Sequence, residues 1–263
     1  MNVLDFATIE AAAKPVLIAM PRLLPVFFIL PVFSGQVVLG LVRNSLILLL
    51  SIFVAPAIAA GDMMRAAPFV LVGLIFKEVL IGFLLAFAFS IFLWAIQNAG
   101  HLIDFQSGSA NAAFFDPVSG HEGGPTATFL TYLAAALFMA GGGFEATLGL
   151  IFESYRIWPP ESFLPNIGVA LEQFAMKEGD SLMALTVKLA APVVLVLVVV
   201  ELGLGLVNRV APNLNVFVVA PPLKGALAML MLVLFLQFIY DALRSSLNPD
   251  SGMLAFLRSL IER

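Results

Sequence analysis

Residues 182–207 read LMALTVKLAAPVVLVLVVVELGLGLV, and whether this stretch is helix or strand decides the fold. Its middle, residues 193–200, is a β-branched run that would suit a buried strand in a soluble protein. The flanks stay apolar for too long, however, and length settles the matter in favour of a helix. A helix crossing the hydrocarbon core of a bilayer needs about 20 mostly apolar residues, and this stretch is long enough. Moving outward, five more stretches of the same kind appear at 15–33, 45–60, 69–99, 126–152 and 216–240. The second of the six, 45–60, is marginal in length, and 69–99 is long enough to tilt or to project beyond the bilayer. The expected fold is therefore all-α, an integral-membrane arrangement of helical hairpins forming a single domain over 1–263.

Composition agrees. Apolar residues make up 61% of the chain and charged residues 11%, against about 45–50% and about 25% in soluble domains. Such a chain cannot cover itself with polar surface. The net charge of −4, with signs scattered, excludes the basic face of a nucleic-acid binder. No cysteine is present, which rules out disulfides and thiolate metal sites. Residues 1–14 contain Asp5 and Glu10 and lack a basic n-region, so no removable signal peptide is expected.

Several of these helices are flawed. The first carries Pro15, Pro21, Pro25 and Pro31, the fourth Gly141-Gly142-Gly143, and the sixth Pro221-Pro222. Each interior proline removes a backbone hydrogen bond that lipid cannot replace, so broken helices are tolerated where protein or a wet cavity covers them. Ordinary kinking is the plainer alternative. Arg22, Glu145, Lys188, Glu201 and Lys224 also fall inside the spans. A charge at a helix centre costs about 2.5–3.5 kcal/mol on insertion scales, so these groups should face protein or water. Lys77-Glu78 reads instead as an interfacial pair with a snorkelling lysine. Glu201 and Asn208, seven apart and beside Arg209, make a polar stripe that marks a contact surface.

The connection 100–125 contains no Lys or Arg. Placed outside, it leaves Lys14, Arg65, Arg156, Lys177, Arg244, Arg258 and Arg263 in the cytoplasm with both termini, and only Arg43 and Arg209 on the wrong side. Two segments are amphipathic. One, 166–177, is expected to stop at Gly179; the other is 251–263. Each could rest on a membrane surface or dock to a partner.

No catalytic constellation is visible. His101 and His121 are twenty residues apart in one connection. His121-Glu122 runs into Gly123-Gly124-Pro125, which cannot form a two-histidine zinc helix. No phosphate-binding G-x-x-x-x-G-K-[S/T] loop exists. The chain reads as a non-enzyme with no cofactor and no metal.

The least typical segment is 100–125, GHLIDFQSGSANAAFFDPVSGHEGGP. It has no evident secondary structure, and loops of this length are usually functional or disordered. Phe114-Phe115 could fill a narrow opening among small residues, as apolar constrictions do in pores. A loop with incidental aromatics is the alternative from physics alone.

The pattern Gly100-x-x-Ile103-x-x-Gln106-x-Gly108, followed by Asp116-Pro117, resembles the signature loop of the FliR/SctT family of type III secretion export proteins. So does the string from Asn208 to Phe217, NRVAPNLNVF, with its R-x-A-P-x-x-N core. Glu78-x-x-Ile81-Gly82 and Pro31 with Arg43-Asn44 sit where that family has them. The resemblance runs from about Arg22 to Gln237. Asn213 departs from the glutamine common in the family, and 107–115 differs within it. The resemblance implies a non-enzymatic subunit of a helical hetero-oligomeric export gate, multi-pass in the bacterial inner membrane within a secretion basal body. Its implied partners are FliP/SctR-like, FliQ/SctS-like and FlhB/SctU-like membrane proteins, with unfolded secreted proteins as cargo. It implies a channel plug at Gln106, Gly108, Phe114, Phe115, Asp116 and Pro117. It implies subunit packing through Glu201, Arg209, Pro212, Asn215 and Lys224. Glu201 and Lys224 favour an injectisome over a flagellum. A stand-alone small-molecule or ion transporter is the competing function, since broken helices and intramembrane charges fit it too. It would require internal repeats and a midplane substrate site, and neither is found.

Overall fold

The computed structural model describes residues 6–35, 37–59, 68–109, 124–160, 168–213 and 215–246. Among them every long element is α-helical: α1 Phe6–Ile29, a 3-10 turn Pro31–Phe33, α2 Gly40–Ala59, α3 Pro68–Ser107, α4 Pro125–Ala140, α5 Gly143–Ile157, α6 Gly168–Val210 and α7 Val216–Ser246. The all-α expectation holds. Three helices contain a stretch long and apolar enough to cross a membrane, Phe69–Ser107, Met176–Val210 and Val218–Ala242, and α4 with α5 makes a fourth if taken as one broken span. Six spans were expected. Among the described residues α2 contributes a shorter apolar helix, Gly40–Pro56.

Three further boundaries differ from the expectation, each for a local reason. The stretch 126–152 is not one helix. Gly142 takes φ +79, the left-handed conformation that ends a helix and that side chains resist, and α5 starts afresh after it. Gly179, expected to stop a helix, lies inside α6, which runs unbroken from Gly168. An interior glycine costs only about 1 kcal/mol relative to alanine, too little to end a helix whose flanks both favour it. Residues 100–107 are the last two turns of α3 rather than the beginning of a loop.

The described residues form two compact units. One takes the described residues up to Ser90 and those of Gly142–Ala175; the other takes Ile91–Gly141 and those from Met176 onward. In the first unit α1 and α2 are antiparallel neighbours. Ile18 and Ala19 of α1 meet Val54 and Ile58 of α2 and Leu74 of α3, with Phe152 and Tyr155 packed against them. Phe27 and Phe33 pack with ring centres 4.7 Å apart, tilted at 46°, where the chain turns back after α1. Pro15, Pro21 and Pro25 all lie within α1, and it stays helical because this packing holds it. In the second unit the buried residues come from the distal part of α3 (Ile96, Ala99, Ile103), from α4 (Leu130, Ala134, Phe138), from α6 (Leu189, Val193, Leu197) and from α7 (Ala228, Leu232, Ile239).

Candidate functional site

The first unit buries a knot of charge. Arg22 of α1, 0% exposed, donates from Nε to Glu78 Oε2 at 2.6 Å and from Nη2 to Glu78 Oε1 at 2.9 Å. The planar guanidinium thus meets the carboxylate edge to edge, the strongest geometry such a pair has. Lys77 Nζ lies 2.8 Å from Glu78 Oε1. Two cations therefore share one anion, and the excess positive charge is met by dipoles. Arg22 Nη2 donates to the Trp158 carbonyl at 2.9 Å, and Lys77 Nζ donates to the carbonyls of Pro159 and Pro160, each at 2.9 Å. These carbonyls follow the C-terminus of α5, the negative end of its dipole, where cations are stabilised. Arg22 Nη1 donates to Ser154 Oγ at 3.1 Å, and its guanidinium lies 4.0 Å from the centre of the Tyr155 ring. Lys77 and Glu78 are therefore not the interfacial pair expected from the sequence. They sit next to each other on α3, but both are buried, because Arg22 and the end of α5 supply what water would otherwise provide.

The second unit fixes the two roots of the connection 110–123. At the return root, α4 begins at Gly124-Pro125 with no cap of its own. Asp104 of α3, 1% exposed, supplies one from a distance: Oδ1 accepts the Thr126 N–H at 3.0 Å and Oδ2 the Ala127 N–H at 2.8 Å. The carboxylate also meets the positive end of the α4 dipole. Gly100 makes this reach possible, since a Cβ there would stand 2.5 Å from the Ala127 Cα. At the departure root, Gly108 takes φ +83 and closes α3. The Gln106 carbonyl, orphaned by the helix end, accepts Lys224 Nζ from α7 at 3.0 Å. Gln106 Nε2 donates to Glu201 Oε2 of α6 at 2.8 Å, and Lys224 Nζ lies 3.5 Å from that oxygen. Ser107 and Ser109 join through their hydroxyls at 2.9 Å.

Of the residues expected at a plug, Gln106 and Gly108 stand at this root, while Phe114, Phe115, Asp116 and Pro117 lie outside the described residues, as does 251–263. The structure brings Glu201 and Lys224 together with Gln106. Arg209, Pro212 and Asn215 are exposed at the turn between α6 and α7, apart from that group. Glu145 and Lys188 are exposed on their helices. Sequence reading missed Asp104. Its signal was a lone carboxylate in an apolar run, twenty residues before a Gly-Pro-Thr helix start that lacks a capping side chain. Among the described residues no group of three or more His, Asp or Glu could hold a metal.

Removing one partner of a buried ion pair typically costs about 3–5 kcal/mol. Glu78→Ala should therefore cost that order of stability, read as loss of folded yield and a lower midpoint of thermal unfolding in detergent. An unchanged midpoint would remove the knot from its structural role. Asp104→Ala should cost about 1–2 kcal/mol by loss of the cap, with Asp104→Asn intermediate, read as increased amide exchange at Thr126 and Ala127 but not elsewhere in α4.

A family model described as bacterial export proteins, family 1, matches residues 14–248. The Yop proteins translocation protein T of Yersinia pestis is 37% identical over 217 residues, covering 82% of this chain and 83% of the relative. Surface presentation of antigens protein SpaR of Salmonella typhimurium is 30% identical over 221 residues, covering 81% and 80%. Flagellar biosynthetic protein FliR of Bacillus subtilis is 32% identical over 189 residues, covering 72% of each.

Proposed function

We propose that this chain, which belongs to the bacterial export proteins, family 1, is a non-enzymatic subunit of a type III protein export gate that forms part of its channel. The membership makes it a membrane protein homologous to components of type III secretion export apparatus. The finer reading is that the chain acts as one domain. Residues 106–117 plug a conduit for unfolded proteins, with Gln106, Gly108, Phe114, Phe115, Asp116 and Pro117 as the plug's own residues. Glu201, Arg209, Pro212, Asn215 and Lys224 pack against FliP/SctR-like, FliQ/SctS-like and FlhB/SctU-like neighbours in the inner-membrane part of a secretion basal body.

One observation carries this reading. The connection 110–123 is held at both ends by side chains from three other places in the fold: Asp104 at its return, and Glu201 and Lys224 at its departure. A segment that must stop a pore needs fixed roots, so that its tip stays where the opening is. Support for neighbours comes from α6 and α7. Only 17% of the most apolar window of each is buried, against 61% in α3. Glu201 nevertheless keeps a side-chain exposure of 58% on that surface, and a charge so placed faces protein or water rather than lipid. The gate is read as an injectisome's rather than a flagellum's, with Glu201 and Lys224 as the residues that lean the reading that way.

Coexpression with FliP/SctR-like and FliQ/SctS-like proteins should give a stable complex containing this chain. A chain that purifies only as an independent monomer and ignores those proteins would defeat the proposal. In the assembled complex, deletion of residues 109–115 should raise resting permeability to ions and small solutes without dissolving the assembly. Unchanged permeability would remove the plug assignment and leave the subunit assignment standing.

A further inference from the structure

The unit of α1 and α2 contains a cation whose donors the described residues leave partly unmatched. Arg43, in the first turn of α2, is the only charged residue of that helix. Its guanidinium carbon lies over the Phe28 ring, 3.9 Å from the ring centre. Its one acceptor is the Phe33 carbonyl, reached from Nη1 at 3.5 Å, the outer limit for a hydrogen bond. Its buried Nε has no acceptor. No described carboxylate pairs with it. Arg22, by comparison, spends its donors on two carboxylate oxygens, a hydroxyl and a carbonyl. A half-buried guanidinium in apolar surroundings faces protein, water or an anion rather than bare hydrocarbon, and the terminal nitrogens of Arg43 suit a charge-assisted bond to an anion.

What adjoins Arg43 says which anion. Phe28 is 52% exposed beneath it, and Leu24 and Leu17 continue from Phe28 along α1 at 38% and 61%. Residues 28, 24 and 17 are four and seven apart and so share one face of the helix. From Phe28 to Leu17 is roughly 16 Å at the helical rise, and exposed Lys14 ends the strip one turn later. No exposed hydrogen-bonding side chain interrupts it. A strip of that length under a guanidinium matches one lipid, with its phosphate on the arginine and an acyl chain on the leucines. A partner's acidic helix would bring polar side chains along with its carboxylate, and this strip offers them nothing to bond. We propose that Arg43, Phe28, Leu24 and Leu17 form a seat for a phospholipid, with the headgroup phosphate held by Arg43.

The test uses the full chain, alone and in its coexpressed complex, reconstituted in phosphatidylcholine vesicles containing phosphatidylglycerol with a photoactivatable acyl chain. Labelled peptides are read by mass spectrometry. The label should concentrate in the peptide carrying residues 17–28. Arg43→Gln should reduce it several-fold, Arg43→Lys should retain part of it, and Leu17→Gln should reduce it with Arg43 intact. Arg156→Gln, at an arginine of α5 with 82% side-chain exposure and no part in the strip, should leave it unchanged and serves as the control for general charge effects. Equal labelling in wild type and Arg43→Gln overturns the proposal. So does displacement of the label by inorganic phosphate alone, which would make the site one for a free anion. Loss of the label on assembly, with a crosslink from position 28 to a neighbouring polypeptide, overturns it in favour of a protein carboxylate. None of these outcomes depends on the plug assignment.

Discussion

An arginine inside an apolar helix must be answered, and how Arg22 is answered organises the first unit. Its two-point grip on Glu78 sets α1 and α3 at a fixed register. The remaining donors of Arg22 and Lys77 reach Ser154 and the carbonyls that follow α5, so the end of α5 is drawn to the same point. Buried ion pairs of this kind rarely add net stability over apolar packing. What they add here is position: two cations and one anion are satisfied in a single arrangement, and displacement of any of the three elements strands a charge. The proline-scarred α1 is kept in place by that requirement as well as by its contacts with α2.

The second unit uses the same logic with less burial. α3 ends where the Gln106 carbonyl would be unpaired, and Lys224 completes it. α4 begins where its first amides would be unpaired, and Asp104 completes them. Both helix ends border the connection 110–123, and in both the missing group comes from another helix. Fixed ends on either side of the connection 110–123 are what the proposed stopper requires.

Much of this was legible from residue types. The apolar runs gave the helices, because length separates a buried strand from a membrane-scale helix even where Val193 to Val200 looks like a strand. Glu201 and Lys224 were recognisable as out of place, and the structure pairs them. Other features were not legible, for physical reasons. Adjacent Lys77 and Glu78 look self-sufficient in sequence, and only the third member, fifty-six positions away at Arg22, shows that they are buried. Gly179 looked like a stop because a glycine's cost is visible locally, whereas the support α6 has on either side is not. Asp104 was passed over because a capping residue is sought next to the helix it caps, and this one belongs to the preceding helix.

The borrowed cap on α4 has a bearing on how freely the connection can change. Because Asp104 and Gln106 secure the two junctions through groups that are no part of 110–123, the identity and number of the intervening residues bear little on whether the bundle closes. Chain-closure entropy rises only as the logarithm of length, about 0.6 kcal/mol for each doubling. Segments of different size or greasiness could then be exchanged between those junctions like bits in a chuck, with the surrounding helices indifferent to which one is fitted.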